Sequence, residues 1–89
     1  MTYDVELLAT ANFDLGKLDP KNHKRVLNKL SWLAVNLDET RQKALKPPYE
    51  GMFRLRCGDY RIIYTCDRKK RMITVHRVQH RRDVYKRKR

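Results

Sequence analysis

The stretch from Phe53 to Cys66 alternates apolar and polar residues on both sides of a Gly58-Asp59 pair, with Ile63 as the single exception. Such alternation is typical of two strands that each bury one face. Glycine at the first position of a two-residue loop suits a type II′ turn, so the stretch predicts a β-hairpin. Its predicted register places Cys57 opposite Tyr60, Leu55 opposite Ile62, and Phe53 opposite Tyr64. One face of the hairpin is then apolar or aromatic throughout.

The other face of the predicted hairpin carries arginines. Arg56 falls opposite Arg61, and Arg54 falls opposite Ile63. Two like charges directly opposed on neighbouring strands destabilise a sheet. We interpret their presence as a sign that these side chains bind an anion, and Arg61 is the strongest functional candidate in the chain.

The same register separates the two cysteines. Cys66 falls opposite Gly51, which places it about 20 Å from Cys57 at about 3.3 Å per residue. A disulfide requires Cα atoms no more than about 7 Å apart. Both cysteines are therefore predicted to be reduced, half-buried strand residues.

The segments before the hairpin predict one strand and two helices. Tyr3 to Leu8 alternates apolar and acidic residues, which favours a half-buried strand. Thr10 or Asn12 could cap a short helix that runs through Leu18. A second helix is predicted from Lys21 to Leu37, because Asp19-Pro20 offers a cap and a first-turn proline. Its apolar stripe contains Val26, Leu30, Leu33 and Leu37 at helical spacing, and its basic outer face is expected to be solvated.

The remaining segments predict a loop, a turn, a strand and a tail. Residues 38–52 lack periodicity and contain Pro47-Pro48, so they predict a loop. Asp67 to Arg71 is a charged turn, and Met72 to Val78 predicts a strand. Its apolar residues Ile73, Val75 and Val78 do not share one alternation, which indicates a β-bulge or a strand buried on both faces. Lys86 to Arg89 is expected to be a frayed basic tail.

The charge of the chain indicates a polyanionic partner. Its 89 residues, expected to form one domain (1–89), carry a net charge of +12. From Arg68 onward the chain holds 11 of its 22 basic residues and one acid, Asp83. Nucleic acid is the first candidate partner, an acidic protein the second and an anionic membrane surface the third. No signal peptide or membrane span is apparent, so a cytoplasmic location is expected.

The sequence lacks the residue patterns of several common binding and catalytic sites. The three glycines form no phosphate-binding motif. The histidines and cysteines form no recognised zinc pattern, so neither a metal nor another cofactor is expected. Ser31 is the only serine and lies in the predicted second helix, which makes a serine nucleophile improbable.

A cluster of basic and aromatic residues remains at one end of the predicted sheet. Guanidinium groups bind phosphate bidentately and stay charged, which suits both RNA binding and stabilisation of a charged transition state. Histidine and tyrosine can stack on bases or move protons. The cluster could therefore cleave RNA without a metal, through attack of a ribose 2′-OH on the adjacent phosphate. It comprises Arg54, Arg56, Arg61, Arg77, His80, Arg81 and Tyr85, of which Arg54, Arg56 and Arg77 are expected to bind the substrate.

The alternative from composition alone is a basic binder of nucleic acid or acidic peptide without chemistry, because net charge specifies attraction and not reaction. Under that interpretation Tyr85 packs to anchor the chain end, and His80 is an ordinary surface histidine.

Two segments, Phe53 to Tyr64 and Val78 to Tyr85, resemble the RelE family of bacterial toxins within the RelE/ParE group. The resemblance implies an α+β fold in which two N-terminal helices pack on a four-stranded, antiparallel-dominated sheet. It also implies a ribosome-dependent mRNA endoribonuclease that acts in the ribosomal A site. A cognate, RelB-like antitoxin is then expected to silence the toxin.

The resemblance also assigns roles residue by residue. Arg61 looks like the phosphate-stabilising arginine, Arg81 like the arginine or general acid on the leaving-group side, and Tyr85 like the tyrosine near the 2′-OH. Arg54 stands where a basic residue contacts the substrate backbone. A second family lysine corresponds to Met52, so a base role of that lysine has no matching residue here, and His80, beside Arg81, is considered in its place. ParE-type members of the same fold inhibit DNA gyrase, and this remains an alternative.

Overall fold

Five strands form one mixed sheet in the computed structural model, which describes residues 2–47 and 49–82. The strands are β1 (Asp4–Leu7), β2 (Lys43–Ala44), β3 (Phe53–Cys57), β4 (Tyr60–Asp67) and β5 (Met72–His80). The helices are α1 (Ala9–Gly16) and α2 (Pro20–Asn36), and a 3-10 turn (Leu37–Glu39) follows α2. The strand order is β1-β5-β4-β3-β2, in which β1 runs parallel to β5 and the other pairs are antiparallel. The α+β class and the two N-terminal helices are confirmed.

The central hairpin has the predicted register. Cys57 pairs with Tyr60 and Arg56 pairs with Arg61, and the register continues without a shift to Phe53 and Tyr64. Gly58 has a φ of 61°, whereas Asp59 does not have a positive φ, as a type II′ turn requires. Both cysteines are free and half-buried, as predicted.

A β-bulge interrupts β5, which confirms one of the two predicted explanations for its pattern. Ile63 pairs with Arg77 but Tyr64 pairs with Val75, so His76 is an extra residue on β5. The bulge reverses the alternation of side chains along the strand. Val75 and Val78 therefore both face the core, although they are three residues apart.

The core lies between the helices and one face of the sheet. The predicted α2 stripe is buried, and it packs in one cluster with the apolar face of the hairpin and of β5. Removal of a fully buried leucine from such a core costs about 2–5 kcal/mol. The largest fully buried side chains are Tyr64, Leu33, Leu37, Ile62, Ile73, Val26 and Val75.

The structure corrects the prediction in three places. Asp19 occupies the N-cap position of α2 and Pro20 begins the helix, but the Asp19 carboxylate accepts from the Asn22 side chain at 2.7 Å and makes no capping hydrogen bond to the helix backbone. Helix α1 begins at Ala9 without a side-chain cap, and the Thr10 hydroxyl instead donates to the His76 carbonyl at 2.6 Å. The reason is that β1 leads directly into the helix, with the Leu8 N–H donating to the Val75 carbonyl at 3.0 Å. The sheet also has five strands where four were expected, because the predicted loop contains the two-residue β2.

Helix α1 covers the edge of β5 where β1 ends. β1 pairs with β5 only as far as Val75, so the next backbone groups need other partners. The Asp14 carboxylate accepts the Val78 N–H at 2.9 Å and the Arg77 Nε–H at 2.8 Å. Asp14 is 7% exposed, and it is the one buried charged residue among those that the structure describes.

Candidate nucleic-acid interface

The face of the hairpin that points away from the helices carries Arg54, Arg56 and Arg61. These residues alternate with those that join the core, so the pleat directs them to the opposite face. Arg54 and Arg56 are exposed, whereas Arg61 is half-buried between β3 and β5. The sequence therefore predicted which arginines share this face.

Arg61 Nε is a buried atom without a hydrogen-bond partner in the part of the chain that the structure describes. Arg61 pairs with Arg56 on one side and with Gln79 on the other, so neither neighbouring strand offers a carboxylate. A buried donor without an acceptor costs about 1–3 kcal/mol, and more if charged. An anion bound at this position would supply the missing acceptor.

A groove with a volume of about 540 Å³ runs along this face. Its basic lining residues come from the segment around β2, from the hairpin and from the end of β5. Asp59 is the single acid among the described residues that line it. We call it the arginine groove, and its basic residues are Arg41, Lys43, Arg54, Arg56, Arg61 and Arg81.

Arg81 reaches the arginine groove because its backbone is tied to the hairpin turn. The Arg81 N–H donates to the Asp59 carbonyl at 2.8 Å. Both Arg61 and Arg81 line the groove although they are twenty positions apart in the chain. The structure thus brings together four of the predicted site residues, Arg54, Arg56, Arg61 and Arg81.

His80 lies beside the groove, in a cavity of about 390 Å³ that also contacts Asp59 and Arg81. Its ring meets Tyr60 edge to face, with centroids 5.1 Å apart. The His80 Nδ1 accepts the Arg82 N–H at 3.0 Å. Because Nδ1 is the acceptor, the proton of the neutral ring is on Nε2, which leaves Nε2–H as a donor.

Arg77 lies on the same face of the sheet, but its guanidinium is engaged. It forms a two-pronged ion pair with Asp14, at 2.8 Å from Nε and 3.2 Å from the second nitrogen. Burial alone would raise the pKa of Asp14, but the hydrogen bonds from Arg77 and the Val78 N–H outweigh it and lower that pKa. The Asp14 hydrogen bond in turn raises the pKa of Arg77. Its role as a substrate contact stays a prediction.

Tyr85 lies outside the described residues, and so does the basic tail at 86–89, so both predictions stay as they were. Within the described ranges no group of histidine, cysteine or acidic residues could hold a metal ion. None of the helices in those ranges is long and apolar enough to cross a bilayer.

The sequence did not identify Lys43 as part of the site. Lys43 pairs with Arg54 across β2 and β3, which brings it to the arginine groove. A two-residue strand leaves no periodic signal, so only the three-dimensional pairing identifies this residue. Arg25 lies on the basic outer face of α2 and is exposed, as expected for that face, and its guanidinium also lies close to Gly58 of the hairpin turn.

Comparison with known proteins identifies the family. Residues 5–85 match the family model described as the ParE toxin of type II toxin-antitoxin system, parDE. The chain is 35% identical to Toxin RelG of Mycobacterium tuberculosis over 92 residues, which cover 98% of this chain and 100% of that protein.

Solved structures show the same fold. The toxin-antitoxin complex RelBE2 from M. tuberculosis superposes with a TM-score of 0.82 at 30% identity, covering 90% of this chain and 92% of that one. A double-arginine mutant of E. coli RelE in the free state superposes with a TM-score of 0.75 at 19% identity, covering 97% of this chain and 93% of that one. The RelE-RelB complex from Pyrococcus horikoshii superposes with a TM-score of 0.72 at 23% identity, covering 91% of this chain and 97% of that one. The chain therefore belongs to the RelE/ParE superfamily and is a toxin of a type II toxin-antitoxin system.

Proposed function

We propose that this toxin is a metal-independent endoribonuclease that cleaves mRNA in the A site of the ribosome. The observation that carries the proposal is the pair Arg61 and Arg81 on one groove, where the buried Arg61 Nε has no acceptor among the residues that the structure describes. A phosphate bound between them would meet two fixed positive charges. The relatives named RelE and RelG support this choice of activity.

The proposed reaction is an internal transesterification. The ribose 2′-oxygen attacks the adjacent phosphorus, the bond from phosphorus to the 5′-oxygen breaks, and a 2′,3′-cyclic phosphate and a 5′-hydroxyl result. One proton leaves the 2′-OH and one proton reaches the departing 5′-oxygen. Guanidinium charge at the phosphate lowers the barrier because negative charge builds up there in the transition state.

We assign the residues as follows. Arg61 stabilises the phosphate oxygens, Arg81 stabilises the departing oxygen, and Arg54 and Arg56 hold the RNA backbone. Arginine does not give up its proton in proteins, so Arg81 acts through its charge. His80 can transfer a proton to the departing oxygen in its imidazolium form, in which both ring nitrogens carry protons. In the neutral ring, the Nδ1 that accepts the Arg82 N–H is occupied, which argues against use of that nitrogen as the base. Tyr85 keeps its proposed place near the 2′-OH.

The test is to add the full chain to a cell-free translation reaction and to map the ends of the message. Cleavage within codons in the A site is expected. Arg61→Ala and Arg81→Ala should each lower the cleavage rate by about 10²–10³-fold. Lys70→Ala, in the exposed turn between β4 and β5, removes the same charge away from the groove and should cleave normally. Stalled synthesis with intact message would refute the cleavage mechanism.

Inhibition of DNA gyrase is the second candidate, favoured by the match to the ParE toxin family model. A supercoiling assay without ribosomes separates the two candidates, because only a gyrase-directed toxin inhibits in that assay. A non-catalytic RNA binder is the third candidate, and it would bind RNA with a steep salt dependence and leave it uncut.

The proposed partner that silences the toxin is a RelB-like antitoxin, because the solved relatives include complexes of RelE with RelB. Because the chain carries a net charge of +12, we expect an acidic segment of the antitoxin to bind against its basic surface. Co-purification from cells that express the neighbouring genes would identify this antitoxin.

A further inference from the structure

Ile63 is the one apolar residue among the arginines of the outer face, and it forms the floor of a second cavity. Although it points away from the main core, Ile63 is only 5% exposed. The cavity has a volume of about 240 Å³, and Arg61 lines both this cavity and the arginine groove. We call it the side pocket, and its relevant walls are Leu45, Tyr49, Met52, Ile63, Arg77 and Gln79.

The walls of the side pocket combine apolar surface with a few polar groups. Leu45, Met52 and Ile63 are aliphatic, and Tyr49 contributes an aromatic ring that is 48% exposed. Gln79, directly opposite Arg61 in the sheet, contributes an amide with donors and an acceptor. A flat ligand with apolar faces and a polar edge would match these walls.

Hydrogen bonds hold the walls in place. The Leu45 N–H donates to the Met52 carbonyl at 3.0 Å, and the Met52 N–H donates to the Tyr49 carbonyl at 3.1 Å. On the opposite wall, the ion pair with Asp14 fixes the Arg77 guanidinium. The pocket is therefore built by the fold before any ligand arrives.

We propose that the side pocket receives one unpaired nucleobase of the RNA whose phosphate is bound at Arg61. This inference rests on the proposed function, since it needs RNA in the arginine groove. The shared residue Arg61 makes the pocket continuous with the groove, so a base and its own phosphate can be bound together. Proteins recognise single-stranded RNA by stacking of unpaired bases on aromatic groups and by hydrogen bonds to base edges. Tyr49 supplies the stacking surface and Gln79 reads the edge.

The test compares two RNA probes by fluorescence anisotropy with the full chain. One probe is a hexanucleotide in which every base is absent, and the other carries a single adenine in the same backbone. Stacking of one base typically strengthens binding by about 5- to 100-fold. The single base should give such a gain with the wild-type protein and lose most of it with Tyr49→Ala. Leu45→Trp, which fills the pocket, should have the same effect.

The matched control is Phe13→Ala, which removes another exposed aromatic ring, on α1. Its gain from the single base should equal that of the wild type. An equal affinity of the two probes for the wild type would overturn the proposal, and so would a gain that survives in Tyr49→Ala. If the wild-type protein does not cleave mRNA but its affinity gain from the single base is lost in Tyr49→Ala, the proposed cleavage is refuted and the base pocket is supported.

Discussion

Replacement of Asp14 by asparagine tests how the C-terminal part of β5, which contains Arg77 and Val78, is held in place. Asparagine keeps a carbonyl oxygen that can accept the Val78 N–H, but it removes the charge and one of the two acceptors that Arg77 uses. Arg77 then faces an amide in place of a carboxylate. The substitution separates the charged part of the contact from the neutral hydrogen bond.

The expected loss of stability follows from these contacts. A hydrogen bond to a charged group contributes about 1.5–3 kcal/mol. The Arg77 side chain is 39% exposed, so solvent screens the ion pair and the lower part of that range applies. We expect Asp14→Asn to lower the free energy of unfolding by about 1.5–2 kcal/mol. Asp14→Ala should cost about 2–4 kcal/mol, because it also leaves the buried Val78 N–H without an acceptor.

The assay is urea unfolding of both proteins at a series of pH values. The native pKa of Asp14 lies below its ordinary value of 3.8, so the carboxylate stabilises the fold above pH 3.8. That contribution is lost as the pH falls through the lowered native pKa. The difference between wild type and Asp14→Asn should therefore be constant near neutral pH and shrink below about pH 4.

The control is Asp4→Asn, which removes one exposed carboxylate and raises the net charge by the same amount. Asp4→Asn should leave the free energy of unfolding nearly unchanged at pH 7. A difference between wild type and Asp14→Asn that stays constant down to pH 2 would show that the carboxylate charge is not responsible. A loss in Asp4→Asn as large as in Asp14→Asn would attribute the effect to net charge.

Three further substitutions test other parts of the structure. Gly58→Ala should lower the unfolding free energy by about 1 kcal/mol in urea melts because of its φ of 61°, while the flexible Arg25 side chain moves aside. Arg56→Thr should raise stability by about 0.2–1 kcal/mol by removing the like charge opposite Arg61, and should weaken RNA binding in a filter assay. Leu33→Ala, in the fully buried stripe of α2, should cost about 2–5 kcal/mol, and a smaller loss would mean that the core closes around the gap.

The local features of the fold could be predicted because they depend on neighbouring residues. The alternation around Gly58 fixed the hairpin register, and the spacing from Val26 to Leu37 fixed the buried face of α2. Even the bulge left a signal, since Val75 and Val78 could not share one face of a regular strand. The grouping of Arg54, Arg56 and Arg61 followed from the same alternation.

The features that the sequence did not predict depend on contacts between distant segments. Asp14 and Arg77 are 63 positions apart, and nothing near Asp14 marks it as buried. The contacts of Asp38 are also between distant segments, since its carboxylate accepts the Tyr3 hydroxyl and forms ion pairs with Arg68 and Arg71. The cavity above Ile63 also could not be predicted, because its wall comes from a segment without periodicity.

The bulge at His76 makes the presence of a residue more important than its identity. Beyond it, Arg77 and Gln79 share a face with Arg61, and Val78 faces the core. Deletion of this one position would turn the rest of β5 over, so that Val78 would meet solvent and Arg77 would meet the core. Substitution would leave the order of faces unchanged. A substitution at residue 76 therefore costs only the contacts of that side chain, which are the 2.9 Å hydrogen bond between His76 Nε2 and the Thr65 hydroxyl and a part of the side-pocket lining. A gap at this position would disrupt the site and the core beneath it together.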